Sequence, residues 1–210
     1  MRRKSRDQVM KKLSLTYLPE NYDPLMRIAL QKDKKLALFL NLGALLIAVL
    51  MFILGHFIVP IAEFLELENF WEYLLRYVVL IAALVAYIFL HELAHGVCMK
   101  CFGAVKVKYG FTGLYAYAGS ESYFYKIPYI IIALAPVVLW GVVLLMLNCA
   151  AGTYWFWNIY FIQISNISGA AGDLYVIYSF SKLPRDILIQ DTGVSMTVYS
   201  RRNIDRNKGF

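Results

Sequence analysis

Histidine and cysteine are scarce in this 210-residue chain, with three of each. So few cysteines exclude a disulfide scaffold. Two of them, Cys98 and Cys101, fall on the side that the charge pattern reads as cytoplasmic, where disulfides rarely persist. The Cys98–Cys101 pair lacks the βαβ context of a redox motif, so it reads as two small buried thiols. No repeat or low-complexity stretch divides the chain. No secretory leader is visible, because the first apolar run follows a 35-residue basic segment and is too long for a leader core. A nucleic-acid recognition motif is also missing, although the net charge is +7 and the pI about 9.2.

What the chain has in excess is apolar sequence: 60% of its residues are hydrophobic and the mean hydropathy is +0.56. Four runs are long enough to cross a bilayer, which takes about 20 residues. They lie at Leu36–Ala62, Leu75–Met99, Pro128–Ala150 and Tyr154–Phe180. The expected fold is therefore an all-α polytopic membrane protein of about four transmembrane helices. A basic N-terminal segment (1–35) and a C-terminal tail (182–210) flank a membrane core over 36–181.

The basic residues cluster by side. Ten Lys/Arg precede the first run, Lys100, Lys106, Lys108 and Lys126 lie between the second and third, and six more follow the fourth. The connection after the first run carries only Glu63, Glu66, Glu68 and Glu72, and the third connection has no charge. Positively charged loops stay in the cytoplasm. Both termini are thus expected there, in an integral protein of the bacterial cell membrane, with membrane lipid as a partner and nucleic acid excluded. The oligomeric state is left open.

Asp23-Pro24 has the pattern of a helix N-cap followed by Pro at the first helical position, opening a helix into the first span. Between the second and third spans, Val105, Val107, Tyr109 and Phe111 alternate with Lys106, Lys108 and Gly110. Beyond Gly113, Tyr115 and Tyr117 alternate with Ala116 and Ala118. This period of two predicts a small β-hairpin at the cytoplasmic surface. Ile187–Ile189 and Val194–Tyr199, either side of Asp191-Thr192-Gly193, predict a second. Pro136 removes a backbone donor inside the third span, which kinks the helix unless a neighbour takes up the freed carbonyl.

Two of the three histidines form His91-Glu92-Leu93-Ala94-His95. Residues i and i+4 share a helix face, so the two imidazoles can bind one metal with the Glu beside it. A charge in mid-membrane costs about 2.5–3.5 kcal/mol, so a functional reason for Glu92 outweighs chance. The third histidine, His56, reads as interfacial. A catalytic zinc takes three protein ligands and keeps one position open. Asp173 is the carboxylate of span four, and it lies nine residues from that span's basic end, as His91 does from its own. At 1.5 Å per residue both sit about 13 Å deep. The run Ser168-Gly169-Ala170-Ala171-Gly172 before it is small enough to let helices meet closely. Cys98 shares the histidine face and competes for the third position. Asn166, two turns before Asp173, fits either a substrate carbonyl or an interhelical hydrogen bond.

His-Glu-Leu-Ala-His-Gly (91–96), Leu-Ala-Pro (134–136), Asn-Ile-Ser-Gly-Ala-Ala-Gly-Asp (166–173) and Asp-Thr-Gly (191–193) together resemble the DUF3267 "putative zincin peptidase" family, over about residues 75–200. That family is in turn similar to site-2 intramembrane metalloproteases. The resemblance implies that His91, His95 and Asp173 bind Zn2+ and that Glu92 is the catalytic base. Where site-2 proteases carry Asp-Gly after a proline, this chain has Gly172-Asp173 with no proline in that stretch. The expected function is a zinc endopeptidase (HExxH type) acting on membrane-associated protein substrates. An edge strand of the first hairpin would receive an unwound substrate. A metal-binding or transport protein and a non-catalytic scaffold are the alternatives. Transport would spread polar residues through spans one and three, which are almost bare of them, and a scaffold would have lost a ligand or the Glu.

Overall fold

The computed structural model describes residues 13–29, 32–66, 69–113 and 115–202. Most of the basic N-terminal residues, Glu68 and the last basic residues of the tail lie outside them. Helix α1 (Lys34–Ile58) starts where the Asp33 carboxylate accepts the Leu36 N–H at 3.0 Å. Helix α3 (Phe70–Cys101) starts where Asn69 caps Trp71 and Glu72. A short helix α2 (Ala62–Leu65) lies between them, after a turn in which the His56 ring accepts the Ile61 N–H. Helix α4 (Lys126–Ala150) contains Pro136, and α5 (Gly152–Gly169) follows it directly. With α1, α3 and α4, three helices are long and apolar enough to cross a membrane.

Their surfaces match that reading. Leu38, Leu42, Leu46, Leu50 and Leu54, spaced four apart along α1, are all at least 57% exposed. A stripe of that size needs an apolar surrounding. Twenty of the 21 cations lie in the basic clusters; the other, Arg76 near the start of α3, is buried. Its guanidinium donates to the Glu63 and Phe64 carbonyls and lies 4.1 Å from the Tyr154 ring centroid. It thus ties α2 to the beginnings of α3 and α5 rather than counting as a loop charge.

The fourth apolar run is two helices instead of one. Helix α5 ends at Gly169, and α6 (Ala171–Ser181) begins after Ala170, which sits at ψ +14°. The break leaves Asp173 in the first turn of α6, where the helix dipole favours a carboxylate. The two glycines of the small run do not serve close helix approach, although Ala170 and Ser168 between and before them are buried. A side chain added at Gly169 or Gly172 would meet nothing, and both glycines line an open cavity. Smallness there keeps space free in front of Asp173.

The expected small β-hairpins are also part of a larger β structure than two separate hairpins. The hairpin expected around Gly113 forms, with β3 (Lys108–Phe111) antiparallel to β4 (Ala116–Gly119) and Gly113 at φ +89°. The second hairpin forms as β6 (Leu188–Asp191) and β7 (Met196–Arg201), but it is the middle of a five-stranded antiparallel sheet of order β1-β5-β6-β7-β2. The outer members are β1 (Ser14–Leu15), β2 (Tyr22–Ile28) and β5 (Tyr123–Tyr125). Asp23-Pro24 is therefore not a helix start. It lies in β2, an edge strand, where proline's missing N–H is tolerated. Strand β2 is fastened to the tail by the Arg202–Asp23 ion pair at 2.6 Å, whose guanidinium holds the Asp23 carboxyl below its ordinary range.

The sheet draws on the segment before α1, the α3–α4 connection and the segment after α6, so these three meet on one side of the helices. Ile189, Phe124 and Val198 from the sheet pack with Met99, Ile132 and Phe180 from the helix ends into a core without solvent.

Candidate metal centre

Helix α3 carries His91, Glu92 and His95 on its inner turn, and the first turn of α6 brings Asp173 against them. The two carboxylate oxygens of Asp173 divide between the histidines: Oδ2 is 3.4 Å from His91 Nε2 and Oδ1 is 3.5 Å from His95 Nε2. The structure therefore brings Asp173 together with both histidines. Glu92 lies beside them, with the nearest ligand atoms of His91, Glu92 and His95 all within 4.8 Å of one another.

Hydrogen bonds decide which way the imidazole lone pairs point. The Nδ1 of His95 is 2.9 Å from the Ile132 carbonyl, which can only accept, so this nitrogen carries the proton. For His91 the proof takes three links. Asn166 Nδ2 donates to the Val137 carbonyl at 3.1 Å, which fixes the amide orientation. Its Oδ1 accepts the Tyr87 hydroxyl at 2.8 Å, so that hydroxyl proton is committed. Tyr87 then accepts from His91 Nδ1 at 2.8 Å. Both rings present Nε2 to the Asp173 oxygens, and in the neutral ring that nitrogen is a bare lone pair.

Lone pairs facing carboxylate oxygens repel unless a proton or a metal cation stands between them. Ligands about 2.05 Å from a tetrahedral zinc are about 3.3 Å apart along each edge, close to the 3.4 and 3.5 Å found here. The residues fit a zinc ion on donor type, spacing and outer hydrogen bonds. Glu92 is the rival third ligand on the same helix, within 4.8 Å of both imidazoles, but it is the Asp173 oxygens that stand 3.4 and 3.5 Å from the two Nε2 atoms. Cys98, the other rival, lines a separate apolar cavity with Leu93, Val97 and Trp140. Nor is the cysteine pair buried, for Cys98 is half-buried and Cys101 exposed.

The site opens into a cavity of about 710 Å³ bounded by α1, β4 and the β6–β7 turn. Side-chain exposure is 13% for His91 and 12% for His95 but 26% for Asp173, so the opening is on the carboxylate side.

A family model for DUF3267, described as "Putative zincin peptidase", matches residues 84–188, half of the chain. The chain belongs to that DUF3267 family. The matched segment includes the three candidate ligands, Glu92 and Asn166, and stops short of Asp191-Thr192-Gly193, narrower than the motif resemblance. Among curated proteins and solved structures, nothing matches the chain.

Three further residues surround the DUF3267 site, and of these Tyr87 escapes a reading by motif. Tyr87 and Asn166 form the link behind His91, so Asn166 takes the interhelical bond of its two expected roles. Asp191 lines the cavity, accepting the Tyr129 hydroxyl at 2.6 Å and the Gly193 N–H at 2.8 Å. Tyr87 stands four residues before His91, which is a helical neighbour's spacing and the one available signal.

Proposed function

We propose that this protein is a membrane-embedded zinc endopeptidase, site-2-protease-like in arrangement, that cleaves membrane-associated protein substrates. The observation that carries the proposal is the convergence of two Nε2 lone pairs on the two oxygens of Asp173, with Glu92 alongside. His91, His95 and Asp173 would hold the zinc. A zinc ion bound there supplies Lewis acidity toward a carbonyl and lowers the pKa of water.

The remaining chemistry belongs to the chain. Glu92 accepts a proton from the attacking water as the new C–O bond forms at the scissile carbonyl carbon. When the C–N bond breaks, the same carboxyl returns that proton to the leaving amine. Neighbouring β4 supports substrate placement, since Ala116 and Ala118 line the cavity and Ala118 meets Glu92. An unwound substrate segment pairing along that strand brings its carbonyls beside the base. Tyr87 and Asn166 act through His91 by holding its ring.

Topology supports the same reading. The chain leaves the sheet in α1, returns in α3, leaves in α4 and must return to reach β6, so α5 and α6 together form a fourth crossing. The sheet side carries the basic residues, which supports a cytoplasmic location for it.

The deciding experiment combines metal analysis and cleavage on the detergent-purified protein. Glu92→Gln should keep its zinc and lose peptide cleavage, whereas His91→Ala should lose both. Near-normal turnover by Glu92→Gln would remove Glu92 as the base, and a wild-type protein that takes up no zinc would remove the whole proposal.

A further inference from the structure

In a regular helix the N–H of residue 136 would bond the carbonyl of residue 132. In α4 residue 136 is proline, so the Ile132 carbonyl loses its regular helical partner. Ile132 is 1% exposed, too deep for water to replace that partner. The group that does so is the Nδ1–H of His95, at 2.9 Å.

We infer that Pro136 is a positioning residue for the metal site: by withholding an N–H it reserves the Ile132 carbonyl for His95. This rests on the reading of His95 as a zinc ligand. A protonated Nδ1 held on a fixed carbonyl leaves Nε2 as the bare nitrogen and locks the ring plane toward Asp173, 3.5 Å away. With an ordinary residue at 136, the new amide would compete for the same carbonyl. The imidazole could then rotate or place its proton on Nε2, where it would block the metal. The other ligand is held from the same helix, because the carbonyl of Val137, next to Pro136, ends the Asn166–Tyr87–His91 relay.

The test is zinc affinity of the full-length purified protein, measured by chelator competition. Pro136→Ala adds the competing N–H and should weaken zinc binding 10–100-fold, the range for loss of an outer-shell partner. An ester-linked lactate at position 136, which has alanine's side chain but no N–H, should recover most of that loss. Wild-type zinc affinity in Pro136→Ala overturns the inference and leaves the peptidase reading standing. Equal weakness of the alanine and ester variants also overturns it, since shape and not the donor would then matter. Absence of zinc from the wild type would remove both readings. If Pro136→Ala does not fold, nitrogen NMR on the wild type still decides: His95 must be the Nδ1–H tautomer, and an Nε2–H tautomer refutes the assignment.

Discussion

Replacing Tyr87 with phenylalanine removes one oxygen and nothing else, and that oxygen sits between two buried groups. It accepts from His91 Nδ1 at 2.8 Å and donates to Asn166 Oδ1 at 2.8 Å. Tyr87 is 6% exposed and Asn166 fully buried, so water has little access to either vacated position. A buried polar group left unpaired costs about 1–3 kcal/mol, and Tyr87→Phe strands two of them. The Asn166 oxygen is stranded whether or not metal is present, so global stability should fall by about 1–3 kcal/mol. The His91 nitrogen is stranded in the ligand itself. Its ring loses the bond that fixes the tautomer, and zinc affinity should fall 10–100-fold, or about 1.4–2.8 kcal/mol. Chelator competition on protein in nanodiscs measures the second quantity and thermal unfolding of the metal-free protein the first. Adding Asn166→Leu to Tyr87→Phe should cost little further zinc affinity, because the relay is already cut. A folded Tyr87→Phe protein that binds zinc within threefold of the wild type would refute the relay.

The third ligand has its own test: Asp173→Ala should lower zinc content nearly as much as His91→Ala, and Asp173→Asn almost as much, because a neutral amide is a poor zinc ligand. X-ray absorption should then show only nitrogen and oxygen neighbours near 2.0–2.2 Å; a sulfur shell near 2.3 Å that vanishes in Cys98→Ala would put Cys98 in the site instead. For topology, single cysteines at Glu66 and Lys106 in a cysteine-free background should label from opposite sides with an impermeant maleimide, Lys106 from the cytoplasm. Labelling of Glu66→Cys from the cytoplasmic side would reverse the orientation.

How much of this was legible beforehand depended on the range of the signal. Helical apolar runs, the His91-Glu92-His95 spacing and the two hairpins are local patterns, each readable within a few turns of chain. Asp173 could be paired with His91 because a bilayer imposes a shared depth scale on separate helices. The sheet was not readable as a whole: β1 and β5 are two and three residues long, and β1, β2 and β5 each pair with residues far along the chain. Asp23-Pro24 misled for a related reason, since a cap-like dipeptide says nothing about the strand 175 residues later that claims its backbone. The break at Ala170 stayed hidden because apolar composition continues through it.

The sequence by itself therefore determined a membrane setting, a side rich in lysine and arginine and a side poor in them, and a two-histidine metal motif with Glu92 between. These follow from composition and period, which the solvent enforces directly. Only the tertiary structure decided that Asp173 rather than Cys98 faces both histidines. It alone set the imidazole tautomers through Tyr87, Asn166 and Ile132, and gave Pro136 a partner for its freed carbonyl. Three of the hydrogen bonds involved, 2.8–3.1 Å long, join groups on different helices and exist only once the helices have packed; the fourth, Tyr87 to His91, lies within α3 and takes its direction from Asn166.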